Sequence, residues 1–147
     1  MSKPIDQILA KHLEYLGYEV HVQPDGWTYA VHPVRHNIHL RASELGVRLH
    51  CLIWIGNDIS SREAWLEFVN RANESASVAR FAFGRDGEGT WFVRIRALLS
   101  RVYDRRLFGL LLDAWHEDLA VLRTAPRDEE AKVEADERKQ EERAVVH

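Results

Sequence analysis

The chain has 147 residues, 46% of them hydrophobic and 29% charged, with one cysteine and a formal net charge of −3. That length holds one domain burying roughly two-thirds of the surface its unfolded chain exposes, so no disulfide or metal staple is required. A single thiol excludes an internal disulfide framework. The start Met1-Ser2-Lys3-Pro4-Ile5-Asp6 has no apolar leader, and no apolar run reaches the ~18 residues of a membrane span, so a soluble cytoplasmic protein is expected, with no membrane partner.

Charge is uneven along the chain. Residues 1–125 carry 15 Lys+Arg and 15 Asp+Glu, while residues 126–147 carry 5 and 8, so the net −3 belongs to the tail. Between Gly89 and Arg106, Arg94, Arg96, Arg101, Arg105 and Arg106 face Asp104 alone, the first sign of a partner surface.

In chain order, Ile5, Ile8, Leu9, His12, Leu13 and Leu16 recur at helical spacing, predicting a first helix over residues 3–16 with Ser2 as cap, Pro4 in the first turn and Gly17 as stop. Alternation follows: Tyr18, Val20 and Val22, then a turn at Pro24-Asp25-Gly26 into Trp27, Tyr29 and Val31, a predicted hairpin. Beyond Pro33, Ile38 and Leu40 mark a third strand. Glu44-Leu45-Gly46 turns into a fourth and longest strand, with Val47, Leu49, Cys51, Ile53 and Ile55 alternating. Ser60-Ser61-Arg62-Glu63 reads as a capping box centred on Ser60, opening a second helix to about Ser75 with Ala64, Trp65, Phe68, Val69 and Ala72 as its stripe. Strands over residues 78–83 and 90–95 flank the hairpin connection from Gly84 to Gly89. A last helix is predicted from Asp104 to Leu122.

That last helix is more apolar than one face requires, because Leu107, Leu110, Ala114 and Val121 widen the stripe of Phe108, Leu111, Leu112, Trp115, Leu119 and Leu122. Either it is buried centrally or a second subunit covers it; a homodimer touching through Phe108, Leu111, Leu112 and Trp115 is expected. The domain is placed at 1–125. Residues 126–147 form a charged tail without Leu, Ile, Phe or Trp, expected to be disordered or a frayed helix.

The expected fold is α+β, order α-ββββ-α-ββ-α, with helices on one face of a twisted antiparallel sheet. In this order, with Asn70-Arg71-Ala72-Asn73 ending the middle helix, Val78-Ala79-Arg80-Phe81-Ala82-Phe83 following and then an acidic-Gly turn, the chain resembles the YbjN-like proteins and the related type III secretion chaperone fold. The resemblance implies a homodimeric, nucleotide-independent protein that binds other proteins, with no defined enzymatic activity. Chaperones of the secretion type tend to be acidic and grip apolar segments, and the arginines here depart from that.

No catalytic constellation emerges. His32, His36, His39 and His50 lack a second sulfur or an interposed carboxylate, so no metal is expected. The serines stand in caps and turns without a nucleophile elbow. Gly84 to Gly89 joins two strands and opens no helix for a phosphate. Asp113, Glu117 and Asp118 near His116 read as a solvated helix face. No cofactor is expected, and the protein is read as a non-enzyme.

The informative residues lie opposite each apolar stripe, since successive strand side chains point to opposite faces. They are Glu19, His21 and Gln23; His39 and Arg41; Arg48, His50, Leu52 and Trp54; Phe92, Arg94 and Arg96; and Arg80 if Phe81 and Phe83 point inward. Such a face suits an acidic protein segment, or a nucleic acid through phosphate neutralisation and base stacking, or serves only to deter edge aggregation. A chaperone-like adaptor for a partner protein is the first expectation, with DNA or other nucleic-acid binding as the alternative; the candidate contacts are Arg41, Arg48, His50, Trp54, Arg80, Phe92, Arg94 and Arg96.

Overall fold

The computed structural model of the protein describes residues 5–59, 61–100 and 102–126 and the backbone of 132–133. Its elements run α1 (Gln7–Tyr15), β1 (Glu19–Val22), β2 (Thr28–Val31), β3 (Ile38–Ser43), β4 (Gly46–Gly56), α2 (Arg62–Ser75), β5 (Arg80–Arg85), β6 (Trp91–Leu99), α3 (Arg105–Leu119), a 3-10 turn (Ala120–Thr124) and β7 (Lys132–Val133). The expected α+β order is present. The sheet is antiparallel in the order β1-β2-β3-β4-β6-β5, and β7 pairs with β4 outside that path.

Caps decide where the helices begin. Asp6, not Ser2, caps α1 by accepting the Ile8 N–H at 2.8 Å, so the helix starts at Gln7; the expected Ser2 cap lies outside the described residues. Gly17 takes the predicted role of stop, with φ 97°. The helix cap is Ser61: held extended, it accepts the Ala64 N–H at 3.1 Å and α2 begins at Arg62, while the expected cap Ser60 lies outside the described residues. Asp104 caps α3 through the Leu107 N–H at 2.8 Å. β6 runs to Leu99, four residues past the expected end, because Ala97 and Leu99 continue its inward alternation.

One core joins the helices to one face of the sheet. Leu9 and Leu13 of α1, Trp65, Phe68 and Ala72 of α2 and Phe108, Leu112, Trp115 and Leu119 of α3 pack against Ile38, Leu40, Leu49, Cys51, Ile53, Phe81, Val93 and Ile95. Trp65, Phe68, Trp115 and Leu112 are at most 1% exposed, so each contributes roughly 1.5–3 kcal/mol by leaving water. Cys51 is buried and forms no disulfide. At the start of β4, a Cβ on Gly46 would stand 2.1 Å from the Leu99 carbonyl oxygen, so only glycine admits this strand start against β6.

The four α3 residues expected to touch a second subunit lie in or against the core of the protomer. Phe108, Leu112 and Trp115 are inside the protomer and Leu111 is partly buried against the same core, so a contact between subunits has no surface there. The apolar positions that α3 leaves exposed are Leu107 and Leu110.

Polar anchors tie the helices to the loops. Asp118, 8% exposed, accepts the backbone N–H groups of Ser77, Val78 and Ala79 at 2.9, 2.8 and 2.8 Å, fixing the entry to β5. Asn73 pairs with both backbone groups of Phe81, donating to its carbonyl at 2.9 Å and accepting its N–H at 2.8 Å, which docks α2 on β5. The Tyr18 hydroxyl and His116 Nε2 share a hydrogen bond at 2.5 Å, while burial pushes the Tyr18 hydroxyl up to about 12 and the His116 imidazole down to about 4. Arg35 pairs with Asp113 at 3.2 Å across the same junction.

Two outcomes follow. Asp118→Ala leaves three amides without their carboxylate and should cost about 3 kcal/mol or more in urea unfolding, whereas exposed Glu117→Ala should stay within about 0.5 kcal/mol. Because the folded His116 binds its proton only near pH 4 against an ordinary value of 6.5, the unfolded chain takes up more protons in between, and stability falls as pH drops through that window. His116→Gln should make that fall shallower in urea midpoints measured from pH 7 to 4.

Candidate functional site

The sheet face turned away from the helices carries the residues that chemistry can use. Register places them in cross-strand rows: His21 opposite Tyr29, Tyr29 opposite His39, and His39 opposite His50, which faces Arg96, itself opposite Arg80. A second row runs from Arg41 to Arg48 and on to Leu98, and others join Leu52, Arg94 and Ala82, and Trp54, Phe92 and Gly84. All eight expected contact residues therefore share this face. Arg48, Arg80 and Arg96 are exposed, and Arg41, His50, Trp54, Phe92 and Arg94 are half-buried.

At its centre Trp27, Arg48, His50, Arg94 and Arg96 line an open concavity of about 460 Å³. Arg41 lies 5.4 Å over the Trp27 ring and Arg94 lies 5.4 Å over Phe92, each cation steadied by an aromatic face. Phe92 in turn meets Trp54 edge-on at 5.8 Å. Trp27 leans to within 5.6 Å of His50, and Tyr29 stacks on His39 at 4.9 Å. No helix of the described residues covers this layer.

Among the described residues, no carboxylate pairs with these charges. The ion pairs of the described residues, His21 with Glu19 and Arg35 with Asp113, include none of the five face arginines. Arg41 stands directly opposite Arg48 and Arg80 directly opposite Arg96, an arrangement that destabilises a sheet rather than supporting it. Arg94 Nε is buried with no hydrogen-bond partner among the described residues. Burial, then Arg94 and Arg96, pushes the His50 imidazole down to about 4, so near neutral pH it adds a neutral ring and the arginines carry the field.

The sequence missed the placement of Tyr29 in β2 and of Trp27 just before it. Trp27 and Tyr29 read as the inward stripe of their hairpin, yet Thr28 and Ala30, each 0% exposed, face the core and put the large rings outside. Both faces of that strand are buried, so alternation could not choose between them; the small residues at 28 and 30 were the available signal. The histidine run also divides. His32 accepts the Val34 and Arg35 N–H groups on Nδ1 at 3.0 and 2.9 Å, beside Tyr18, while His39 and His50 belong to the open face. Among the described residues, no three His, Cys, Asp or Glu side chains converge as metal ligands.

No family model and no curated protein matches the chain. A crystal structure of YbjN from E. coli is similar, with a TM-score of 0.63 at 10% identity over 82% of this chain and 90% of that one. No helix of the described residues is long and apolar enough to cross a membrane. The backbone architecture is thus that of the YbjN-like fold, carrying on its open sheet face the arginine and aromatic layer described above.

Proposed function

We propose that this chain is a non-enzymatic accessory protein that binds single-stranded nucleic acid across the open face of its sheet. The observation that carries this reading is the set of five arginines without carboxylate partners among the described residues, two pairs of them directly opposed and interleaved with half-buried aromatic rings. Such a layer costs the free protein repulsion that a polyanion relieves. Phosphates neutralise Arg48, Arg80, Arg94 and Arg96, and Trp54, Phe92 and Trp27 offer stacking edges and faces to bases. YbjN is itself described as a candidate transcription regulator, which supports the reading at the level of fold alone.

A second reading, a chaperone-like adaptor for an acidic partner protein, draws on one observation of its own: the edge of β4 accepts β7 as an added strand, the way an extended peptide is bound by sheet augmentation. Self-association through α3 would use Leu107 and Leu110, and light scattering at micromolar concentration tests it.

Fluorescence anisotropy with a labelled oligothymidylate and an acidic polyglutamate peptide separates the two readings. The first predicts binding to the oligonucleotide at about 50 mM salt that weakens as salt rises. Arg94→Gln with Arg96→Gln should weaken it about tenfold and reduce the slope of log affinity against log salt by about 1.4, near 0.7 per lost phosphate contact on a single strand. Trp54→Ala should cost about 1–3 kcal/mol for one stacked base. Absence of oligonucleotide binding at low salt overturns this reading, and capture of the polyglutamate alone would favour the adaptor.

Proton linkage gives an independent check. A bound phosphate offsets Arg94 and Arg96 and lets His50 rise from about 4 toward its ordinary 6.5, so binding takes up a proton. Affinity should rise as pH falls from 6.5 toward 4, and His50→Gln should flatten that rise.

A further inference from the structure

The concavity at the centre of the open face is lined unequally. Trp27 enters it from the β2 side, steadied by Arg41 at 5.4 Å, whereas Arg94 and Arg96 come from β6, on the other side of β4. Arg48 and His50 of β4 lie between them. Kept neutral near pH 7 by burial and by Arg94 and Arg96, His50 adds a ring 5.6 Å from Trp27 and no charge. The volume of about 460 Å³ is within the roughly 300–1,000 Å³ of pockets that hold one small molecule. An indole wall facing three guanidinium groups matches one nucleotide, a flat base joined to its own phosphate.

The track of cations along the strands also ends here. Followed along β4 and β6, the face runs from Trp54 and Phe92 through Leu52 and Arg94 to His50 and Arg96. The next row is Arg48 beside Leu98, which is apolar and 55% exposed, and β4 begins two residues further on at Gly46. Arg41, the cation across from Arg48, lies over Trp27. A polyanion with its bases on Trp54 and Phe92, about 20 Å away at ~3.3 Å per residue, therefore reaches Arg48 and meets no further cation in the strand direction among the described residues.

Charge selects the same ligand. A phosphodiester inside a strand brings one negative charge, whereas a phosphomonoester at its end brings about −1.5 to −2 and three acceptor oxygens. Arg48, Arg94 and Arg96 have no carboxylate partner among the described residues, so the doubly charged group is the better match to the three. We infer that this concavity is an end pocket, taking the phosphomonoester at the terminus of a single strand on its arginines and the terminal base on Trp27. In naming a strand as the source of that phosphate the inference rests on the function proposed above; the match to one nucleotide does not. Hydrolysis of a phosphodiester leaves one phosphomonoester end, so strand cleavage is the class of reaction that supplies this ligand.

The test uses the full chain and oligothymidylates of about eight nucleotides carrying a phosphate at the 5′ end, at the 3′ end or at neither. An unphosphorylated strand one nucleotide longer controls for the added charge. Affinities are read by competition anisotropy at about 50 mM salt, and arginine Nε–H resonances by ¹H–¹⁵N NMR. A phosphate at one of the two ends should tighten binding about tenfold, against less than about twofold for the longer control, and should shift the Arg94 and Arg96 signals together. Arg48→Gln and, separately, Arg96→Gln should weaken every strand and cut the advantage of the phosphorylated one to about twofold. Terminal phosphates that gain no more than the longer control overturn the inference and leave strand binding standing. Equal gains at both ends overturn it too, because a diffuse field and not a pocket would then be responsible. Thymidine monophosphate, thymidine and inorganic phosphate separate the sources. Arginine shifts with the monophosphate and no binding of any oligonucleotide would keep the one-nucleotide pocket, overturn the strand end as its ligand and bring down the proposed function. A monophosphate that binds no tighter than inorganic phosphate would overturn the stack on Trp27.

Discussion

Strand β4 is where the molecule divides its chemistry. Val47, Leu49, Cys51, Ile53 and Ile55 enter the core while Arg48, His50, Leu52 and Trp54 face the other way, and β3 and β6 are registered on both sides of this one strand. A slip of one residue would drive Arg48 into the helix interface and expose Leu49, at a cost of several kcal/mol for the unpaired guanidinium alone. The same parity that secures the core therefore determines which side chains meet on the open face. Gly46 protects this register, since its contact with the Leu99 carbonyl leaves no room for a side chain.

On the proposed function, the open face is retained at the expense of stability. Two opposed arginine pairs, a buried guanidinium nitrogen without a partner among the described residues and a histidine kept neutral by burial and by its arginine neighbours are each unfavourable on their own. The helix side shows what the chain does with polar groups whose role is structural: Asp118 is saturated by three amides, Asn73 by both backbone groups of Phe81, and Tyr18 by His116. On the proposed function, the contrast between satisfied anchors on one side and cations without carboxylate partners among the described residues on the other is that of a surface that receives an anion.

Much of this was legible in the residues. The strand alternation of β4 and β6 assigned six of the eight contact residues to one face because each strand has a clear apolar parity, and Arg41 of β3 and Arg80 of β5 followed from the alternation of their own strands. β2 was not legible, because Trp27 and Tyr29 outweigh Thr28 and Ala30 in hydrophobicity while the smaller pair fits the crowded core. The α3 stripe was visible, but its central burial against its exposure to a partner is decided by how closely α1 and α2 approach, a tertiary matter that periodicity does not carry. Asp118 looked like one more solvated carboxylate; its partners are 39 to 41 residues away and are backbone groups, which leave no side-chain signal.

The claim that the arginines are retained for binding at the expense of stability is tested most directly by thermal unfolding of Arg48→Gln with Arg96→Gln, at low salt, with and without oligothymidylate. The account predicts that the variant alone melts at a higher temperature than the parent, that the gap closes as salt screens the repulsion, and that the oligonucleotide raises the melting temperature of the parent far more than that of the variant. A variant that melts lower than the parent at low salt, or that gains as much from the oligonucleotide, would contradict it.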